Sequence, residues 1–364
     1  MSSGSPRVGF GEAVALLVVF LSMKVLISHL ALIFPLGLSA SWMIPLMHLP
    51  VGLVGVAVIV WLLNRFPGRT IVEIGEELVG PVVNGFFVLL YYAFFVVFTA
   101  LVLRQFAEFV LIGFFPETPL SIVVLAFAAS ATVIVFLGLE TLARTARVLF
   151  YLLGFSFVLL LLLTSNVWSQ HGIFPLWGPG APELFWAAFS TLGVGVEIFL
   201  LTMLAPYLPR GRMLAVGLVS VLAAGAAVAL AILVSLLVFT YPAVREPVLP
   251  MFELARIVMW GRFFVRMETL FLPLWIFSAL IGLAAALYIC TAVAARALKL
   301  PYHRPLILPT MVLILAGAFA PPNYSTAVEL GFAVTARWSF IPLGAIVGVL
   351  VAAAWLRGRR RQRE

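Results

Sequence analysis

Two side chains of opposite charge stand deep inside apolar stretches of the sequence, Lys24 in the first and Glu197 in the sixth. A charge inserted into hydrocarbon costs about 2.5–3.5 kcal/mol, so each needs a partner or a task. Both lie about 14 residues into their stretch, near mid-depth at about 1.5 Å per residue, and are expected to pair. Glu197 follows Thr191-Leu192-Gly193-Val194-Gly195-Val196. Gly193 and Gly195 at mid-span let a helix unwind and bare its backbone groups, which in transporters with inverted repeats hold the substrate, a half-helix N-terminus facing its carboxylate. The plainer alternatives are close helix packing at the two glycines and, for Lys24, an ion pair that never meets a ligand. Arg104 and Glu108, four apart in the third stretch, share one helix face; they read as a neutralising pair, with a place on the ligand wall as the alternative. His29 and the Tyr91-Tyr92 pair read as interior packing or hydrogen-bonding residues.

Catalytic arrangements are missing from the sequence. It has no phosphate-cradling glycine loop, no HExxH and no Gly-x-Ser-x-Gly elbow. The histidines at 29, 48, 171 and 303 are too scattered for a metal cluster, aspartate is absent, and the one cysteine, Cys290, excludes a disulfide framework. No catalytic residue, metal or cofactor is expected, and the chain does not read as an enzyme. The net charge of +8 comes from basic residues dispersed in short loops and a terminal run, Arg357 to Arg363, with no interleaved aromatics, so nucleic acid is not an expected partner.

The elements that must position these charges follow from composition. Of 364 residues, 64% are hydrophobic and 10% charged, against roughly a quarter charged in a soluble domain. Membrane lipid is therefore the expected solvent. Ten spans are predicted, at about 10–36, 39–65, 80–114, 119–138, 143–167, 183–207, 212–241, 263–297, 304–320 and 336–356, each near the length that crosses roughly 30 Å of hydrocarbon. The first lacks a small-residue cleavage site and reads as a retained span. With the N-terminus inside, cytoplasmic segments hold fifteen of the 22 basic residues, among them Arg7, Arg65, Arg69, Arg210, Arg296, Lys299 and the tail arginines; Arg245, Arg256, Arg262, Arg266 and Arg337 fall outside. That asymmetry predicts both termini in the cytoplasm. Spans three and eight are the longest, and each is third in a group of five. Odd-numbered groups joined in series have opposite orientations, which predicts a five-plus-five inverted repeat, about 10–167 and 183–356, within one membrane domain, 1–364, ending in a basic tail, 357–364.

Several motifs resemble the spore germination B-subunit (GerAB-type) permeases, a branch of the amino acid, polyamine and organocation transporter superfamily. They are Arg65-Phe66-Pro67-Gly68; Leu103-Arg104-Gln105-Phe106-Ala107-Glu108-Phe109 followed by Pro116-Glu117-Thr118-Pro119; Gly138-Leu139-Glu140-Thr141-Leu142-Ala143-Arg144; Gly195-Val196-Glu197; and Phe252-Glu253-Leu254-Ala255-Arg256 followed by Arg266-Met267-Glu268 and Trp275. The resemblance implies an all-α, ten-helix fold with spans one and six broken, and a small-molecule pocket between them bordered by spans three and eight. It places Gly195 and Glu197 at the span-six break and Arg104 with Glu108 on the span-three wall. It also implies an A-type membrane subunit and a C-type lipoprotein as partners, the inner membrane of a bacterial endospore as location, and a nutrient such as an amino acid as ligand. One departure stands out: where such permeases carry a glycine before the proline that closes span one, this chain has Lys24 and Ser28. The alternatives to a receptor subunit are an autonomous amino acid transporter coupled to protons or sodium, and a structural subunit whose pocket is vestigial.

Overall fold

The computed structural model describes residues 8–27, 29–209, 211–258 and 268–361. Arg7, Ser28, Arg210, Arg262, Arg266 and Arg363 of the sequence analysis lie outside them. The described residues form helices and the turns between them, with no strand, as expected where lipid offers backbone groups no hydrogen-bond partner.

Among the described residues seven helices are long and apolar enough to cross a membrane, and two bent helix pairs raise the number to nine. The first bent pair joins α1 (Phe10–Ser22) and α2 (His29–Gly37). Then follow α3 (Met43–Arg65), α4 (Ile71–Gly113), α5 (Leu120–Leu137) and α6 (Leu139–Leu163). The second bent pair begins with α7 (Ala181–Ser190) and ends with α8 (Leu200–Leu204). After it come α9 (Met213–Phe239), the short loop helix α10 (Pro250–Ile257), α11 (Glu268–Ala297) and α12 (Ile307–Phe319). Last are α13 (Tyr324–Phe332), a π-helical turn over Ala333–Trp338, and α14 (Phe340–Arg361). The ninth predicted span is the apolar helix Arg304–Phe319. At about 1.5 Å per residue it reaches only about 24 Å, short of the hydrocarbon thickness.

Within α4, Gly80 takes φ 81° and ψ 168°, a state open to glycine but strained for side-chain-bearing residues, and Pro81 follows without an N–H to give. The chain therefore bends there, and the leg Ile71–Val79 precedes the membrane-crossing part. Its first turn is capped by Glu73, whose carboxylate accepts from the Thr70 N–H at 2.8 Å and from the Thr70 hydroxyl. Asn84 Nδ2 donates to Val72 O at 3.0 Å and ties the leg to the helix beyond the bend.

That leg collects charges at one end of the molecule. Arg296 pairs with Glu73, Lys299 with Glu76 at 2.7 Å, and Arg69 and Arg357 with Glu77. Arg296 also donates to the Tyr207 hydroxyl at 3.0 Å, and the Tyr207 carbonyl accepts from Val8 N at 3.1 Å. Segments near residues 8, 70, 207, 297 and 357 thus share this basic end, as alternating spans require. The opposite end gathers the long loops: Ser169 N donates to Leu237 O at 2.7 Å, and Ser39 Oγ to Pro175 O at 2.6 Å.

The core centres on α11, which packs against α1, α4, α5, α6 and α12. Its small residues, among them Ala279, Ala284, Ala285, Ala286 and Cys290, are fully buried, and they let backbones approach where no hydrophobic effect separates helix from lipid. Phe20 of α1 and Phe98 of α4 meet edge to face at 6.0 Å, both fully buried.

Candidate functional site

Both interruptions fall where the charged residues are. After Ser22 the first span tightens into a 3₁₀ turn, Met23–Leu26; Ile27 is extended at φ −116°, ψ −173°, and α2 leaves at 66° to α1. Met23 packs against Gly282 of α11, where a Cβ would meet the Met23 sulfur. The sixth span ends its α-helical part at Ser190, runs as a 3₁₀ helix over Leu192–Phe199, and resumes at a 44° angle.

Lys24 Nζ reaches both oxygens of Glu197, at 2.8 Å each. The residues are 7% and 2% exposed, so the pair is sealed between the two breaks. Neither charge could remain there alone: removing one partner of a buried pair leaves an uncompensated ion and typically costs about 3–5 kcal/mol.

The two glycines do different things. A Cβ on Gly193 would collide with Ser339 Oγ and with the carbonyl oxygens of Thr335 and Ala336. Gly193 is therefore a packing glycine, and Ser339 Oγ bonds its carbonyl at 3.2 Å. Gly195 sits at φ −100°, ψ 16°, is exposed, and has no neighbouring atom within 4 Å of the point where a Cβ would stand. It opens onto a cavity of about 330 Å³ lined by Lys24, His48, Gly193, Gly195 and Ser339 at its polar side and by apolar residues of α3, α9 and α14, such as Val58, Val221 and Val347, elsewhere. On the other side of the ion pair a void of about 30 Å³ is lined by Lys24, His29, Gln105, Glu197 and Thr335, about one water's share of volume. Lys24 borders both spaces, and Glu197 borders only the void.

Two further residues shape the break. His48 Nε2 lies 2.9 Å from Ala188 O; a carbonyl only accepts, so this nitrogen carries the proton. With Thr191 Oγ1 at 3.2 Å from the same nitrogen, the imidazole adds a donor to a carbonyl that already accepts from the Thr191 N–H at 3.2 Å, and so fastens α3 to the end of α7. Ser339 does the corresponding work for Gly193, from the end of the π-helical turn. Nothing in the spacing marks His48 or Ser339, and only the fold brings them to the span-six break.

The span-three charges lie elsewhere. Arg104 Nε donates to Glu108 Oε1 at 2.9 Å, and its Nη1 donates to the carbonyls of Ala318 and Pro321, both at 3.2 Å. The pair clasps α4 to the end of α12 and lines neither the cavity nor the void. Ser28 lies outside the described residues. Tyr91 hydroxyl donates to Phe199 O at 3.1 Å, Tyr92 hydroxyl meets Thr310 at 3.1 Å, and His29 packs on Phe332 at 5.4 Å. The expected walls were spans three and eight, but α3, α9 and α14 enclose the larger cavity, while α4 borders only the small void. Among the described residues α11 lines neither, because its small side chains close it directly onto α1 and α4.

Comparison with known proteins agrees with this architecture. The spore permease family, described as "Spore germination protein", matches residues 13–323. Spore germination protein KB of Bacillus subtilis (strain 168) is 24% identical over 333 residues, covering 88% of each chain. A solved nucleobase-cation-symport-1 family transporter, in a closed conformation with bromovinylhydantoin bound, superposes with a TM-score of 0.62 at 16% identity, over 98% of this chain and 80% of that one. The fold is thus the all-helical one of that transporter, with two interrupted spans among the described residues. On the extent of the family match, this chain belongs to the spore permease family of spore germination proteins.

Proposed function

We propose that this chain is the germinant-sensing membrane subunit of a spore nutrient receptor, binding a small nutrient, an amino acid foremost, between its interrupted spans and signalling to A-type and C-type partner subunits. The observation that carries the reading is the buried Lys24–Glu197 pair at the two breaks, with Lys24 lining a 330 Å³ cavity and Glu197 directly behind it. An amino acid brings one carboxylate and one ammonium. By inserting between the two side chains it replaces one buried pair with two, so neither protein charge is orphaned as the breaks part. That gives the ligand the differential affinity for a second conformation that signalling requires. A shift from 1:99 to 99:1 needs about 5.5 kcal/mol of such preference, comparable to the cost of breaking a buried pair. In this reading Lys24 meets the carboxylate, Glu197 the ammonium, and Gly195 leaves room for the ligand. The protein would sit in the inner membrane with both termini in the cytoplasm.

The transporter fold supports a second reading, an autonomous carrier coupled to protons or sodium. The deciding experiment uses the chain alone in liposomes: counterflow of labelled amino acid establishes the carrier. Binding without counterflow, together with failed germination of spores carrying Lys24→Met and Glu197→Met together, supports the receptor. Unchanged binding and germination in that double variant would remove the pair from function.

A further inference from the structure

A second opening lies on the loop-rich side of the breaks, an open cleft bordered by α2, α7 and the π-helical turn. It has a volume of about 490 Å³ and is lined by Pro35, Leu36, Glu183, Trp186, Ser190 and Arg337, with Ala187. Three features separate it from a gap between lipid-facing helices. Glu183 and Arg337 are both exposed, oppositely charged and on different spans. Among the described residues neither forms an ion pair with the other or with a third group; the contact found for Arg337 is its guanidinium over the Phe332 ring, 5.7 Å from the centroid. Trp186, 69% exposed, stacks on Phe189 at 5.7 Å and stands beside the charges.

We infer that this cleft is a second binding site, for a zwitterion, placed before the buried pair on the path from the loop-rich end. A molecule with a carboxylate or phosphate and an ammonium bridges Arg337 and Glu183 where direct contact does not, each through a charge-assisted hydrogen bond. Low-dielectric walls strengthen and focus the field of both charges, and Trp186 offers an apolar face to the rest of the ligand. The position is suited to relay occupancy. Ser190 immediately precedes the break, and Arg337 lies two residues before Ser339, whose hydroxyl bonds Gly193 O at 3.2 Å. The last residues of the π-helical turn thus meet both the cleft, through Arg337, and the unwound backbone at Gly193, through Thr335, Ala336 and the adjoining Ser339, and such turns recur at functional sites. The same chemistry could come from a free amino acid or from a zwitterionic lipid headgroup. The site does not depend on the role of Lys24 and Glu197.

The test follows the full-length protein, labelled with 5-fluorotryptophan, in lipid discs of phosphatidylglycerol alone, with the Trp186 fluorine resonance identified by its loss in Trp186→Phe. L-norvaline should shift that resonance, while butylamine and pentanoate, each carrying only one of its charges, should not. Arg337→Gln and Glu183→Gln should each raise the norvaline midpoint about tenfold, the loss of one charge-assisted bond, and the swap Glu183→Arg with Arg337→Glu should restore it. Lys24→Met with Glu197→Met should leave the Trp186 response in place, which separates this site from the inner one. A shift on adding phosphatidylethanolamine to the discs that then blocks norvaline supports the site with a lipid as occupant. No shift with either zwitterion, or an equal shift with butylamine or pentanoate, overturns it.

Discussion

At the scale of residues, the ion pair and the glycines make opposite demands. Lys24→Met or Glu197→Met alone leaves a buried charge and should destabilise the protein by about 3–5 kcal/mol, whereas the two together remove both charges and should cost far less than the sum. Thermal unfolding of the four proteins in detergent measures this; strict additivity would show that the side chains do not interact. Gly193→Ala drives a methyl into Ser339 and the π-helical carbonyls, and should cost about 1–3 kcal/mol as overpacking does. Gly195→Ala meets no atom, so its stability should stay near wild type while the methyl narrows the cavity. Ligand binding should fall in Gly195→Leu without loss of folded protein, as read by size-exclusion recovery and a binding titration.

At the scale of elements, the clasp between α4 and α12 explains two charges without assigning them to a ligand. Arg104→Met strips the carbonyls of Ala318 and Pro321 of a donor and leaves Glu108 alone. A loss of about 3 kcal/mol is expected from the orphaned groups, with Glu108→Gln milder because a neutral amide still accepts from the guanidinium. Melting curves of both variants give the comparison, and ligand affinity measured below the melt should be unchanged in Glu108→Gln. A large loss of affinity with intact stability would instead place Arg104 and Glu108 on the ligand wall.

At the scale of the whole molecule, the charge clusters sort the loops to two ends, and the excess of basic residues near one of them predicts that it faces the cytoplasm. Cys290 is fully buried, so introduced cysteines report with little background. Lys299→Cys should resist a membrane-impermeant maleimide in intact cells and react after lysis, while Trp177→Cys, in the long loop ahead of α7, should react in both. The reverse pattern would invert the topology. Trp177 is suited to this because it is exposed and its side chain makes no charged contact, whereas Lys299 pairs with Glu76 on the surface, an exposed pair that contributes only about 0–1 kcal/mol.

The membrane class, nearly all span positions, the pairing of Lys24 with Glu197 and the interruption of span six at its glycines could be read from the chain itself, because hydrocarbon penalises every charge and every unsatisfied backbone group within a known length of helix. The family resemblance was legible in short motifs scattered from Arg65 to Trp275. What required tertiary structure was which neighbour each residue meets. His48 and Ser339 are unremarkable in their own spans, and the Gly193–Ser339 contact joins residues 146 apart. By spacing alone Arg104 fits a clasp or a ligand wall, and only the fold brings the carbonyls of Ala318 and Pro321 to its guanidinium. Gly193 and Gly195, identical in type and two apart, separate into a packing contact and an opening. Hydrophobic periodicity reports how far a segment lies from water, and it is nearly silent on which other segment it faces; the cavity walls of α3, α9 and α14 are decided by long-range packing alone.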